Sequence, residues 1–186
     1  NHDYEKAKDL IKTRTSGQAA SHNRILYFQC FLELHDAWNP ENVTVLNEAY
    51  WKGFFEVMNL SGDAKEFLSN SSIPVVLITD LTAQIQHCKI SRLGISSRIR
   101  ALVTSEEAGV EKPDPRIFHL ALKKINMMPE DVLYIGDDYA KDIQGARDAG
   151  IDAIWRNNFI KPDQIKNNIE EKSILPDFRG LHEIIG

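Results

Sequence analysis

Four short apolar runs, at 74–78, 101–104, 132–135 and 151–155, each give way to a polar stretch, and helical patterns fill the intervals between them. That alternation restricts the chain to an α/β fold built from right-handed βαβ units around a parallel sheet. Pro74, Val75, Val76, Leu77 and Ile78 are continuously apolar, as a strand covered on both faces should be. The pattern predicts helices over 64–68, 82–93, 115–125 and 140–149, with Gly94 and Gly150 as stop signals. After Pro162 it predicts a polar helix and a short terminal one.

The preceding segment has a different character. Residues 4–58 read as helical throughout, with Ile25, Leu26, Phe28, Cys30, Phe31, Leu32 and Leu34 crowding one stretch and Leu46, Tyr50, Trp51, Phe54, Phe55, Val57 and Met58 another. Ser21 and Asn42 suit helix openings, and Asn39-Pro40 separates the two. The organisation predicted is an all-helical module over 1–59 and an α/β core over 60–186.

Composition narrows the function classes. A net charge of −5 supplies no basic field for nucleic acid, and no apolar run approaches the about 18 residues of a membrane span. Cys30 and Cys88 fall in helical patterns and read as packed free thiols, which with the absence of a signal segment points to the cytoplasm. The six histidines show no metal-ligand spacing.

Three strands end in chemistry. The run 74–78 leads into Thr79-Asp80, the run 101–104 into Glu111-Lys112-Pro113-Asp114-Pro115, and the run 132–135 into Gly136-Asp137-Asp138-Tyr139-Ala140-Lys141-Asp142. Strand ends of a parallel sheet share one edge, so a hydroxyl, an ammonium and several carboxylates are expected to converge there. Asp137, Asp138 and Asp142 offer oxygen only, which suits Mg²⁺ holding water and a phosphate. The same acids also suit a helix start. Pro113 and Pro115 stiffen the loop that aims Lys112, although an isolated lysine is usually a solvated surface group.

These residues together resemble the haloacid dehalogenase-like hydrolase superfamily. The resemblance rests on Leu77-Ile78-Thr79-Asp80, on the stretch 106–118 containing Lys112-Pro113-Asp114-Pro115, and on the stretch 134–150 that opens Tyr134-Ile135-Gly136-Asp137-Asp138, in that order and spacing. It implies a Rossmann-like three-layer α/β core with a parallel sheet, and makes 1–59 an all-helical cap. It implies catalytic roles for Thr79 and Lys112, phosphate binding by Thr79, Asp80 and Lys112, and Mg²⁺ binding by Asp137, Asp142 and Asp138. Asp137 would be the more direct ligand, Asp142 a ligand through water or a support for Lys112, and Asp138 stands where the family often has a small polar residue.

The family's first motif, a paired Asp-x-Asp ending the first strand, is not in this sequence. Asn1-His2-Asp3-Tyr4 reads as a loop into the cap, Asp3 follows no strand, and Glu5 stands where the second aspartate would be needed. Because that strand lies centrally in the family, between those ending at Thr79 and Ile135, roughly ten to twenty further residues carrying it are expected upstream. A variant that has lost catalysis is the competing explanation.

The resemblance leads to a Mg²⁺-dependent phosphomonoesterase acting on a small phosphorylated metabolite through an aspartyl-phosphate. Alternatives are a catalytically inactive binding protein and a dehalogenase; a receiver-like domain fits less well, because the acidic cluster follows the lysine. Arg14, Arg24, His22, Tyr27 and Trp51 are candidates for reading substrate from the cap, though each also suits surface or packing. A homodimer through the cap is compatible with the sequence but not demanded by it.

Overall fold

The structure is a computed structural model describing residues 2–157, 174–175, 177–181 and 184. In chain order the principal elements are α1 (His2–Arg14), α2 (Arg24–Glu33), α3 (Pro40–Val57), α4 (Gly62–Asn70), β1 (Val75–Thr79), α5 (Ala83–Arg92), β2 (Ile99–Thr104), α6 (Ser105–Ala108), α7 (Pro115–Ile125), β3 (Leu133–Gly136), a π-helical turn (Tyr139–Gln144), α8 (Gly145–Asp148), β4 (Asp152–Arg156) and β5 (Ile174–Leu175). Two compact units divide them. The first comprises Asn1–Asn59, Ile78–Ser97 and Val103–Glu111; the second comprises Leu60–Leu77, Arg98–Leu102 and Lys112–Gly186. The helices predicted after Pro162 lie largely outside the described residues, and none of the described helices is long and apolar enough to cross a membrane.

In the first unit α1 begins at His2, so the opening residues are helical rather than a loop. Asp3 and Glu5 in its first turn and Lys12 and Arg14 in its last complement the helix dipole. Ala7 and Ile11 of α1 meet Tyr27 and Cys30 of α2, with Tyr4, Leu26 and Phe31 packed against them. The expected helix openers are displaced. Asn23 Oδ1 accepts the Ile25 N–H at 3.0 Å, and Asn39 Oδ1 accepts the Asn42 N–H at 2.6 Å, so Asn42 sits inside the first turn as a donor. Ser21 lies instead in a buried 3₁₀ turn, Ala19–His22. Cys30 is buried as expected, whereas Cys88, on α5, is exposed.

In the second unit β3 and β4 pair in parallel, with Leu133 opposite Asp152 and Gly136 opposite Trp155, and β5 pairs in parallel with β4. Ile154, Leu175 and Leu181 form a core completed by Phe67, Leu133, Ile135 and Phe178. Helix α7 buries Ile117, Phe118, Ala121 and Leu122 along one stripe. Asp114 caps it, and the Arg116 guanidinium bonded to that carboxylate lowers its pKa to about 2. Asp63 ties the ends of this unit together, accepting the Phe178 N–H at 3.0 Å and facing Arg156 at 3.4 Å.

The described strands fall in two sheets. β1 pairs with β2, and β3, β4 and β5 form a separate sheet. β1 and β3 are half-buried at every position and each has one strand neighbour among the described residues, so the covering on both faces expected of 74–78 is incomplete.

Gly145 opens α8 against rigid neighbours. A methyl there would stand 2.9 Å from both Pro113 Cα and Phe118 Cε2. Alanine gains about 1 kcal/mol over glycine in an exposed helix, but overpacking costs about 1–3 kcal/mol. Gly145→Ala is therefore expected to lower stability, read as a reduced urea midpoint with an unchanged slope.

Candidate active site

The sequence after β3 turns through a π-helical loop because the Asp138 carbonyl accepts the N–H groups of both Asp142, at 2.8 Å, and Ile143, at 3.4 Å. The widened turn replaces the start of the regular helix expected over 140–149. It points the Asp142 side chain inward, where it is 4% exposed. Both carboxylate oxygens are engaged: Oδ1 accepts from Lys112 Nζ at 2.7 Å and Tyr134 Oη at 3.0 Å, while Oδ2 accepts the N–H groups of Asp137 at 3.2 Å and Asp138 at 3.1 Å. Gly136 makes room for this arrangement, since a Cβ there would lie 2.3 Å from Asp142 Cβ.

Burial pushes the Asp142 carboxyl up, but the charge and hydrogen bond of Lys112, joined by the Asp138 N–H and the Tyr134 hydroxyl, reverse that, and the net shift is downward. The carboxylate and the Lys112 ammonium, itself 12% exposed, form a buried charge-assisted pair. The Lys112–Pro113 peptide is cis.

The other two acids face outward. Asp138 Oδ1 accepts the Lys141 N–H at 3.0 Å, capping the turn. Asp137 is exposed, its carbonyl held by Trp155 Nε1 at 2.9 Å, and its carboxylate makes no hydrogen bond or ion pair among the described residues. The donor set suits Mg²⁺ in a limited way. Asp137 offers an open hard-oxygen ligand, Asp142 has both oxygens committed, and no group of three or more His, Cys, Asp or Glu suited to a metal occurs among the described residues.

Thr79 and Asp80 belong to the first unit. Thr79 ends β1, and its Oγ1 accepts from Gln86 Nε2 at 2.6 Å, one turn into α5. A hydroxyl that accepts there keeps its own proton for another acceptor. Asp80 is half-buried in the turn between β1 and α5. Glu111, the residue before Lys112, is buried: its Oε1 accepts from Ser21 Oγ and lies 3.3 Å from His22 Nε2, and its N–H bonds the Gly17 carbonyl. Of the cap candidates, Tyr27 is wholly buried and donates to the Ser21 carbonyl, while Arg14 is exposed. Sequence reasoning missed Tyr134, Gln86 and Glu111. Glu111 adjoined a flagged residue, but its partner Ser21 lies 90 positions away, while Gln86 and Tyr134 reach Thr79 and Asp142 seven and eight positions off.

The sequence pattern of the haloacid dehalogenase-like hydrolase family matches residues 25–156, and the chain belongs to that family. It is 37% identical over 155 residues to a ribulose-1,5-bisphosphate 5-phosphatase of Halopiger xanaduensis, covering 81% of this chain and 65% of the relative. It is 30% identical over 143 residues to a phosphoserine phosphatase of Thermus thermophilus, covering 75% of this chain and 54% of the relative. The chain thus spans about half to two thirds of these relatives. The crystal structure of a 2-haloacid dehalogenase from Pseudomonas syringae has the same fold, with a TM-score of 0.73 at 19% identity, covering 99% of this chain and 80% of the other.

Replacing Asp142→Asn would leave the Lys112 ammonium buried without its counter-charge, a loss expected at about 3–5 kcal/mol. Because the folded-state pKa of Asp142 is depressed, its contribution is complete above the unfolded value near 4 and disappears as pH falls through the folded one. Urea unfolding from pH 7 down to about pH 2.5 should therefore show wild type and Asp142→Asn far apart at neutral pH and converging in acid.

Proposed function

We propose that the protein is a Mg²⁺-dependent phosphomonoesterase acting on a small phosphorylated metabolite. The observation that carries this reading is the Lys112–Asp142 pair beside the open carboxylate of Asp137. A buried, oriented ammonium suits a phosphoryl group and a carboxylate nucleophile that both carry negative charge. Asp142 holds Lys112 in place. Thr79, its oxygen fixed by Gln86, donates its proton to a phosphoryl oxygen, assisted by a backbone N–H at Asp80.

Asp137 is the direct Mg²⁺ ligand in this reading, with Asp142 acting through Lys112 and Asp138 as the cap of the turn. When bound, the ion supplies charge neutralisation for the phosphoryl oxygens. The nucleophile comes from a further strand bearing the family's paired aspartates. That β1 and β3 each have one strand neighbour among the described residues, and the part-length span against the relatives, support such a strand. Residues 1–59 act as the cap that excludes water in this reading. Phosphatase names among the relatives favour phosphate ester over carbon–halogen chemistry, as does the open Asp137, since halide displacement needs no divalent ion. Two free cysteines suit a cytoplasmic setting.

The test uses the full-length protein with p-nitrophenyl phosphate. Asp137→Asn should lower kcat by about 100-fold or more and raise the Mg²⁺ concentration for half-maximal rate; Lys112→Met should lower kcat on the same scale at any Mg²⁺ concentration. Turnover and Mg²⁺ dependence equal to wild type in Asp137→Asn would sink the assignment.

A further inference from the structure

Two cations of the first unit sit on one aromatic cluster with no carboxylate partner among the described residues. The Arg24 guanidinium carbon lies 5.1 Å from the Tyr27 ring centroid and 5.3 Å from that of Tyr50. Lys89 Nζ lies 5.8 Å from Trp51 and 5.3 Å from Phe54. The rings connect the two, because Tyr50 and Trp51 are edge to face at 5.1 Å and Trp51 and Phe54 at 5.4 Å. The Arg92 Nε donates to the Phe55 carbonyl at 3.1 Å and ties α5 to α3 at this place.

Neither cation has a carboxylate partner among the described residues, and Lys89 makes no hydrogen bond there. Arg24 donates to the His22 carbonyl at 3.1 Å, yet its Nε is buried without a partner. Burial and the charge of Arg24 both push the Lys89 ammonium down. Stacking over rings offsets part of the desolvation of a cation but leaves like charges facing each other, which an anion would relieve. Lys89 stands one turn beyond Gln86 on α5, and Gln86 holds Thr79.

We infer that Arg24 and Lys89 form a subsite for a second anionic group on the substrate, a phosphate or carboxylate a few atoms from the scissile phosphate. The inference rests on the phosphatase reading for the role of Thr79, and it narrows the substrate class to phosphate esters with a second negative group. The rings of Trp51, Tyr50 and Phe54 border it, and Trp51 is buried, which strengthens the charge recognition.

The experiment compares matched pairs on the full-length enzyme: 3-phosphoglycerate against glycerol 3-phosphate for a carboxylate, and ribulose 1,5-bisphosphate against ribulose 5-phosphate for a phosphate. Wild type should prefer one or both doubly anionic members, and Lys89→Met and Arg24→Gln should each reduce that ratio of kcat/KM by about 10- to 100-fold, the scale of one lost charged hydrogen bond. The pair whose preference falls identifies the anion. Lys89→Met should also melt no lower than wild type, because it removes an unpaired ammonium while keeping an unbranched chain. An unchanged ratio, or a lower melting temperature with an equal loss on both members, overturns the subsite. If wild type turns over none of these esters, the phosphatase reading fails by itself. Titration calorimetry with malonate then decides the subsite: heat abolished by Lys89→Met upholds it, and no heat overturns it.

Discussion

The carboxylate of Asp142 gathers four donors from three stretches of chain, and the chemistry of the second unit is arranged around it. Two donors are the N–H groups of Asp137 and Asp138, which fix the backbone that presents the outward acids. The others are Tyr134, from the strand, and Lys112, from a loop that Gly145 allows to pack closely against α8. A single buried anion therefore determines where a cation and two further carboxylates stand. Such a group is stable only when fully satisfied, and the depressed pKa of Asp142 indicates that satisfaction outweighs burial here.

This arrangement also divides the labour among three acids that look alike in sequence. Asp142 is closed to other ligands, Asp138 is occupied in capping, and Asp137 remains open to solvent. The division arises from the π-helical turn. Had the segment after Asp138 been a regular helix, the side chain at position 142 would project at a different angle, and Lys112 would lose its partner. Widening a helix by one residue is unfavourable in isolation, so its presence beside the acidic cluster fits a turn maintained for what it orients.

Much of this was legible in the sequence. The apolar runs placed β1 to β4 to within about two residues, a normal boundary error, because short runs bounded by glycine and polar residues have few alternatives. The loops bearing Thr79, Lys112 and Asp137 followed from the strand ends. What the residues did not reveal depends on tertiary partners. Asn23 and Asn39 cap helices that Ser21 and Asn42 were expected to open, because Ser21 is drawn into a buried bond with Glu111, 90 positions away. The separation of β1–β2 from β3–β4–β5 likewise depends on strand neighbours, which no single run encodes. Lys89 carried no sequence signal: a lysine on a polar-looking helix reads as solvated until its aromatic neighbours are seen.

Arg24 and Lys89 present the opposite physical situation to Lys112 and Asp142. In the second unit a buried charge is fully met by its surroundings, which suits a permanent component of a site. In the first unit two half-buried cations rest on aromatic faces with no carboxylate partner among the described residues, Arg24 also donating to the His22 carbonyl, and the charge of Arg24 pushes the Lys89 ammonium down. A purely structural role would be served as well by an apolar residue at position 89, since the rings of Trp51 and Phe54 pack equally well on a methylene chain. Satisfied charge marks what the fold itself requires, and half-buried charge of one sign marks what the fold leaves for a ligand to complete.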